Sequence, residues 1–391
     1  KAQNFEDFTA VLASGGIPSL DFVYADKTGR IASLYNAAFP QRADGYDWTR
    51  AVPGDIRADM WNSYLAPSIG PRTIAPASGF VVAANAAPFR TTADPFNPKP
   101  ESFSPSLGIE TLLNNRTRRA LALFSADRSI TAGEFRKYKF DDCYTPDSDF
   151  ALLVKEIGGR NYAGDPLLEE AGEILRRYNL CTDKSNRGTA LAMMTAIPLL
   201  QASALRIAQP DPTATLRGAA NRLLAQFARL DPTWSQVSRL RRGDLDLAVS
   251  GGPDTLRSID VQPRLDRAGT STADAGDSFT FISTWTKDGH WEVESVVPFG
   301  SSNVAGTPHY ADQAALFADE ELKTLPLSNS ALTAEASGIE RPGKPPPPKG
   351  NIVVPPIPAT SVPASNIIRP ANAAERKPAA APPVTARAPS Q

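Results

Sequence analysis

The chain has 391 residues, 41% of them hydrophobic, and a formal charge of −1 at pH 7 with a pI near 6.3. That apolar content is enough for one large core or two ordinary ones, while the near-zero charge supplies no field to draw the chain to nucleic acid. No apolar run reaches the roughly 18 residues that a membrane-spanning helix requires.

The first residues, KAQNFEDFTAVL, lack the charged-then-apolar layout of a secretion signal and read as an amphipathic helix with Phe5, Phe8 and Leu12 on one face. A chain opening inside such an element is expected to be a piece of a longer precursor. Residues 17–40 suit a hairpin, IPSLDFVYAD and IASLYNAAFP around the turn KTGR, whose Gly29 can supply a positive φ. After the turn-rich QRADGYDWTRAVPGD comes SGFVVAANAAPF, residues 78–89. Its run from Phe80 to Ala84 reads as a buried strand, and Asn85 then sets a carboxamide among small residues. A buried amide without partners costs roughly 1–3 kcal/mol; the plain alternative is a turn former at a strand end.

From about 108 to 230 the period is helical. GIETLLNNRTRRALALFSA, SITAGEFRKY, DPLLEEAGEILRRYNL and TATLRGAANRLLAQFARL all fit, as does RGTALAMMTAIPLLQASALRIA, in which Pro198 is expected to kink or end the helix. Strand character returns in DLDLAVSGG, DSFTFISTWTKDG and HWEVESVVPFG, the last two joined by a turn at Lys287-Asp288-Gly289, and a final helix, ADQAALFADEEL, follows. Strands at both ends of a helical middle predict an α+β fold whose sheet is completed by distant segments. Beyond it, 14 of the 36 prolines lie between Pro342 and Pro389, and so few apolar residues cannot repay the entropy of ordering. The tail is expected to be extended and disordered.

Cys143 and Cys181 sit beside acidic and turn-forming residues, which leaves open either a disulfide or two free thiols. With two histidines and no close spacing they do not make a zinc site. There is no Walker loop, G-x-G-x-x-G, G-x-S-x-G or H-E-x-x-H, and no serine in an elbow context stands ready for His290 or His309. SGGPDTL at 250–256 reads as a turn, SRLRRGD at 238–244 as a solvated rim, and the neighbours Asp141-Asp142 and Glu169-Glu170 as solvated charge.

Several stretches, in order, nevertheless resemble the penicillin acylase family, which includes penicillin amidases, cephalosporin acylases and acyl-homoserine lactone acylases. NFEDFTAVLASGGIPSLDFVYADKTGRIASLYNAAFPQR is similar to the family's helix followed by n-x-x-Y-A-D-x-x-G-x-I-x-Y…P-x-R. VPGD and PASGFVVAANAAP are similar to its P-x-x-G-(F/Y)-(I/V)-x-(N/A)-x-N-N-x-P segment. LRRGDLDLAVSGGPDTLRSI, GDSF, VPFGSSN and PHYADQAALFADEELK resemble its C-terminal half. The likeness covers roughly residues 1–328.

The resemblance implies part of an N-terminal-nucleophile αββα four-layer sandwich with a helical insertion over residues 1–330, followed by a Pro/Ala-rich tail over 331–391. It implies amide hydrolysis of an N-acyl compound through an acyl-enzyme on an N-terminal serine, in a periplasmic or secreted protein. Asn85 would be the oxyanion donor and Arg116 its support, with Arg118 and Arg119 as rivals for register. The family's second Asn is Ala86 in this chain. The nucleophile serine, the α chain and the N-terminal part of the β chain are expected from outside this sequence, since residue 1 is Lys and GSSN at 300–303 falls where a C-terminal loop belongs. Without them the chain alone is not expected to hydrolyse amides. No cofactor is required. Some members bind a structural calcium, for which Asp94 is a candidate ligand although PFNPKPESFSPS breaks the register. The rival reading is a non-catalytic scaffold or binding protein that uses the Pro-rich tail.

Overall fold

The computed structural model describes residues 2–43, 45–261, 265–336 and 338. The chain divides into a compact unit, Lys1–Leu332, and a second, Thr333–Gln391, of which only 333–336 and 338 are described. Of the disordered tail expected over 331–391, residues 331–335 instead belong to a short helix, and the part beyond 338 lies outside the described residues.

Helix α1 (Phe5–Ala13) begins where the Asn4 side chain accepts from the Asp7 N–H. Strands β1 (Ser19–Ala25) and β2 (Ile31–Ala37) form the expected hairpin, its turn closed by Gly29 at φ 85°, and β3 (Arg72–Ile74) adds to the far side of β2. Period-two alternation splits this sheet into two faces. Phe22, Tyr24, Ala32 and Leu34 pack on Phe5, Phe8 and Leu12 of α1. Asp21 pairs with Tyr35, Val23 with Ser33 and Ser33 with Thr73 across the strands, which places these five residues on the opposite, more polar face.

The helical middle comprises α2 (Asn115–Ala126), α3 (Ala132–Lys139), α4 (Asp149–Gly158), α5 (Pro166–Arg177), α6 (Thr189–Ala204) and α7 (Pro212–Phe227). Asp165 and Asp211 cap α5 and α7 with Pro in the first turn, where its missing N–H is no loss. Helices α4 to α7 enclose the main core; Ile157, Leu191, Leu216 and Leu223 have no exposed surface, worth about 1.5–3 kcal/mol each in burial. Pro198 does not end its helix: α6 runs on to Ala204, because a helix apolar all round is held by packing that offsets the missing bond.

Short α8 (Trp234–Val237) leads into β4 (Ser238–Arg242), which pairs with β5 (Leu245–Ala248) and, in parallel, with β7 (Ser271–Gly276); β6 (Ile259–Val261) borders β7. Strands β8 (Thr280–Trp285) and β9 (Trp291–Val296) form the hairpin turned at Gly289, joined by β10 (Lys323–Thr324) around α9 (Ala314–Ala318); α10 (Asn329–Glu335) follows. The fold is α+β. The strands of the two ends do not share a sheet among the described residues: they make separate sheets of three, three and four strands, the later two closing on the helical core rather than on β1 or β3.

Candidate active site at the Asn85 bend

Residues 80–84 are not a strand. Phe80 and Val82 are buried as expected, but the segment has no ladder partner, and the Val82 N–H is taken instead by the Thr91 carbonyl at 2.8 Å. Asn85 then turns the chain with φ 55°, a left-handed conformation that Asn tolerates better than most residues. The bend buries Ala86, Ala87 and Phe89 and turns Asn85 out, so its carboxamide is exposed rather than buried. The desolvation cost expected of it does not arise.

What holds the bend is the N-terminus of α2. Asn114 caps the helix, its Oδ1 accepting from the Thr117 N–H at 2.9 Å, while its Nδ2 donates to the Ala84 carbonyl. The Ala87 N–H donates to the Leu112 carbonyl at 2.9 Å. Buried Asn115 accepts from the Thr145 N–H at 2.8 Å and donates to the Asp254 carbonyl at 2.8 Å. Asp254, itself left-handed at φ 60°, accepts the Asn115 N–H at 2.7 Å, an anion at the positive end of the helix.

Arg116 links the two parts. Its Nε donates to Asp254 at 3.3 Å and its Nη1 to Asn85 Oδ1 at 3.2 Å. A guanidinium only donates, so the Asn85 atom facing it is the oxygen, and the amide N–H2 is left for another acceptor; none of the described residues takes it. The rivals point elsewhere: Arg118 pairs with Asp147 at 2.9 Å, and Arg119 grips Asp141 through two bonds of 2.8 and 2.6 Å. Asp260, on β6, has its carboxyl raised by burial and by Asp274, with Arg116 opposing. Beside Asn114 and Asp254 an open cleft of about 1270 Å³ runs between apolar walls that include Leu153 and Ile197.

Sequence reasoning missed Asn114, Asn115 and Asp254. The Asn-Asn pair ahead of Arg116 was a legible capping signal. Asp254 carried only a turn signal, because its partner lies 139 positions away.

Other candidates fall into ordinary roles. The Asp94 carboxylate accepts from Asn97 Nδ2 at 2.9 Å and faces Arg90 at 3.8 Å. It belongs to no cluster of three or more Asp, Glu, His or Cys side chains among the described residues. Cys143 and Cys181 are joined in a disulfide across an isolated antiparallel bridge. His309 Nδ1 lies 2.8 Å from Asp312, and no described serine hydroxyl bonds to either histidine ring. In the basic cluster, Arg239 and Arg241 are on β4 and are engaged by Asp246 and Asp266. Ser301 and Ser302 lie in a loop where the Gly300 backbone approaches the His309 carbonyl too closely for any larger residue.

The family model for penicillin amidase matches residues 1–334. Penicillin G acylase of Escherichia coli is 31% identical over 88 residues, a stretch amounting to 22% of this chain and 10% of that enzyme. The structure of a thermostable penicillin G acylase from Alcaligenes faecalis superposes with a TM-score of 0.53 at 16% identity, over 89% of this chain and 71% of the other.

Proposed function

Because the chain belongs to the penicillin amidase family, a family of amide hydrolases, we propose that it forms part of an enzyme cleaving the amide of an N-acyl compound, with Asn85 as its oxyanion donor. The observation that carries this reading is the Arg116–Asn85 contact at 3.2 Å, which fixes the amide so that its N–H2 is presented and not its oxygen. A donor aimed at developing charge is useful only if it does not have to reorganise during the reaction. The bend meets that need: Asn114 holds its backbone, Arg116 its side chain, and Asp254 holds Arg116 and the Asn115 N–H at the same helix end.

In this reading a serine from a segment outside this chain attacks the amide carbon as its hydroxyl proton passes to its own α-amine, and the carbonyl oxygen gains negative charge against Asn85 Nδ2. Collapse of the tetrahedral species hands that proton to the departing amine and leaves an acyl-serine ester, which water, losing a proton to the same α-amine, hydrolyses to the acid and the free serine. Exposed Ala83 leaves room for the approach. Arg116 does not touch the reacting atoms; it keeps the amide turned. The α chain and the earlier part of the β chain would complete the pocket. The Cys143–Cys181 disulfide supports a periplasmic or secreted setting, where such bonds persist.

The test is the product of the whole gene, assayed for acid release from N-acyl amides, beside its Asn85→Ala variant. Loss of one oxyanion donor lowers kcat by about 10²–10³ with KM nearly unchanged. A whole protein that releases no acid, or an Asn85→Ala variant with undiminished kcat, would overturn the reading.

A further inference from the structure

Between the bend, the polar face of the β1–β3 sheet and the first turn of α2 lies a small, partly open cavity whose lining includes Asp21, Ser33, Ala84, Arg90, Thr91 and Thr117. The side chains of Thr117, Ser33 and Asp21, which line it, have no hydrogen-bond partner among the described residues. Thr117 is 3% exposed, and its Oγ1 is buried with no hydrogen bond among the described residues. Asp21, on β1, is half-buried, and none of the described residues donates to its carboxyl.

None of the described groups near Asp21 donates to it. Tyr35 of β2 gives its hydroxyl to Glu110 at 2.7 Å, Glu110 itself is a like charge, and Arg90 of the bend segment faces Asp94 at 3.8 Å. Thr91 Oγ1 is engaged with Thr73 at 2.8 Å. A buried hydroxyl left unmatched carries the full cost of its lost hydration, and native folds rarely leave one so.

Size decides what fills the gap. The cavity admits the centre of a water-sized sphere over about 10 Å³, which is the threshold for one water and too little for any larger ligand. Apolar cavities of this kind stay dry, whereas one with several polar partners takes a water. We propose that the cavity holds one internal water molecule that bridges the Thr117 hydroxyl and the Asp21 carboxyl beneath the bend carrying Asn85. Asp21 and Thr117 are then positioning residues: through the water they tie the sheet and the helix to the underside of Ala84–Ala87. The carboxyl is pushed up to about 6 by burial and by Glu110. Ionised, it accepts from the water; protonated, it donates to it, so the bridge persists on both sides of that value with its proton reversed. This inference stands whether or not the chain is part of an amide hydrolase.

A high-resolution crystal structure of the full chain is expected to show a water roughly 2.6–3.2 Å from both Thr117 Oγ1 and an Asp21 carboxyl oxygen. An empty cavity, or a water reaching only one of the two, overturns the assignment. Thr117→Val keeps the shape and removes the hydroxyl; it is expected to lose the water and to speed amide hydrogen exchange at Ala84–Ala87 about tenfold. Thr117→Ser is expected to retain the water and the slow exchange. A water retained in Thr117→Val, or lost in Thr117→Ser, refutes the bridge, and the wild-type density decides the matter should the valine variant not fold.

Discussion

Replacing Asp254 probes how the first turn of α2 is tied to the rest of the chain. Its carboxylate takes the Asn115 N–H at 2.7 Å and Arg116 Nε at 3.3 Å, and its backbone is left-handed at φ 60°. Asp254→Asn keeps the shape and the tolerance for positive φ but removes the charge. The side chains of Arg116 and Asp254 are 29% and 40% exposed, so solvent screens the pair. Helix-end and ion-pair contributions of about 0.3–1 kcal/mol each then sum to a loss of about 1 kcal/mol. Asp254→Ala also loses the hydrogen bonds, and its side chain tolerates the left-handed region somewhat less well than Asp does, for a total of about 2.5 kcal/mol. Asp254→Gly loses the same contacts but relieves the Cβ strain by about 1 kcal/mol, offset by about half a kcal/mol for its more flexible unfolded chain, leaving about 1.5 kcal/mol. The expected order of damage is therefore Asn, then Gly, then Ala. Urea unfolding followed by far-ultraviolet circular dichroism reads this as falling midpoints with an unchanged slope. An alanine variant no worse than glycine would show that the strained backbone matters little. An asparagine variant as damaged as alanine would show that charge alone holds the turn.

Arg116→Lys should leave stability within about 0.5 kcal/mol yet lower kcat in the whole enzyme about tenfold, since an ammonium cannot bond Asp254 and Asn85 through a fixed fork; equal kcat would remove Arg116 from its positioning role. The disulfide closes a separation of 38 residues, so the Cys143→Ala/Cys181→Ala double variant should lose about 4 kcal/mol in urea unfolding if chain entropy dominates, and a loss under about 1 kcal/mol would refute that account. Burial raises the Asp21 carboxyl to about 6 and, with Asp183 and Glu320 adding, the Asp142 carboxyl to about 7, against a usual value of 3.8. The folded state then binds more protons than the unfolded one between about pH 4 and 7, so these groups' contribution is full below pH 4 and is lost as pH rises. Asp142→Asn should flatten that decline in denaturant midpoints measured across the range, and a variant whose stability falls as steeply as the wild type's would count against the assignment.

How far the chain could be read depended on how local each signal was. The hairpin around Gly29, the Ser or Thr start signal of α3 and the α5–α7 periodicity are written within a few residues, and all appear in the structure. The segment before Asn85 misled because an apolar run looks the same whether its backbone pairs in a ladder or merely packs; Phe80 and Val82 supply core to α2 without strand partners. Pro198 does not end its helix because the propensity penalty is fixed while the packing that overrides it is tertiary. At the candidate site, the resemblance named Asn85 and Arg116, with Arg118 and Arg119 as rivals that spacing could not set aside; of the three, Arg116 is the one that bonds Asn85. Asp254 was beyond reach because two distant turns had to meet before its role existed.

That distance also orders events in time. Asn114 can cap Thr117 as soon as both have been synthesised, so α2 can begin locally. The clamp on Asn115 and Arg116 spans 139 positions, and a contact of such separation forms only after the intervening chain has collapsed. A nascent polypeptide that has not yet extruded residue 254 from the ribosome therefore carries Asn85 on a bend with one side untied, and this clamp closes only once that turn has emerged.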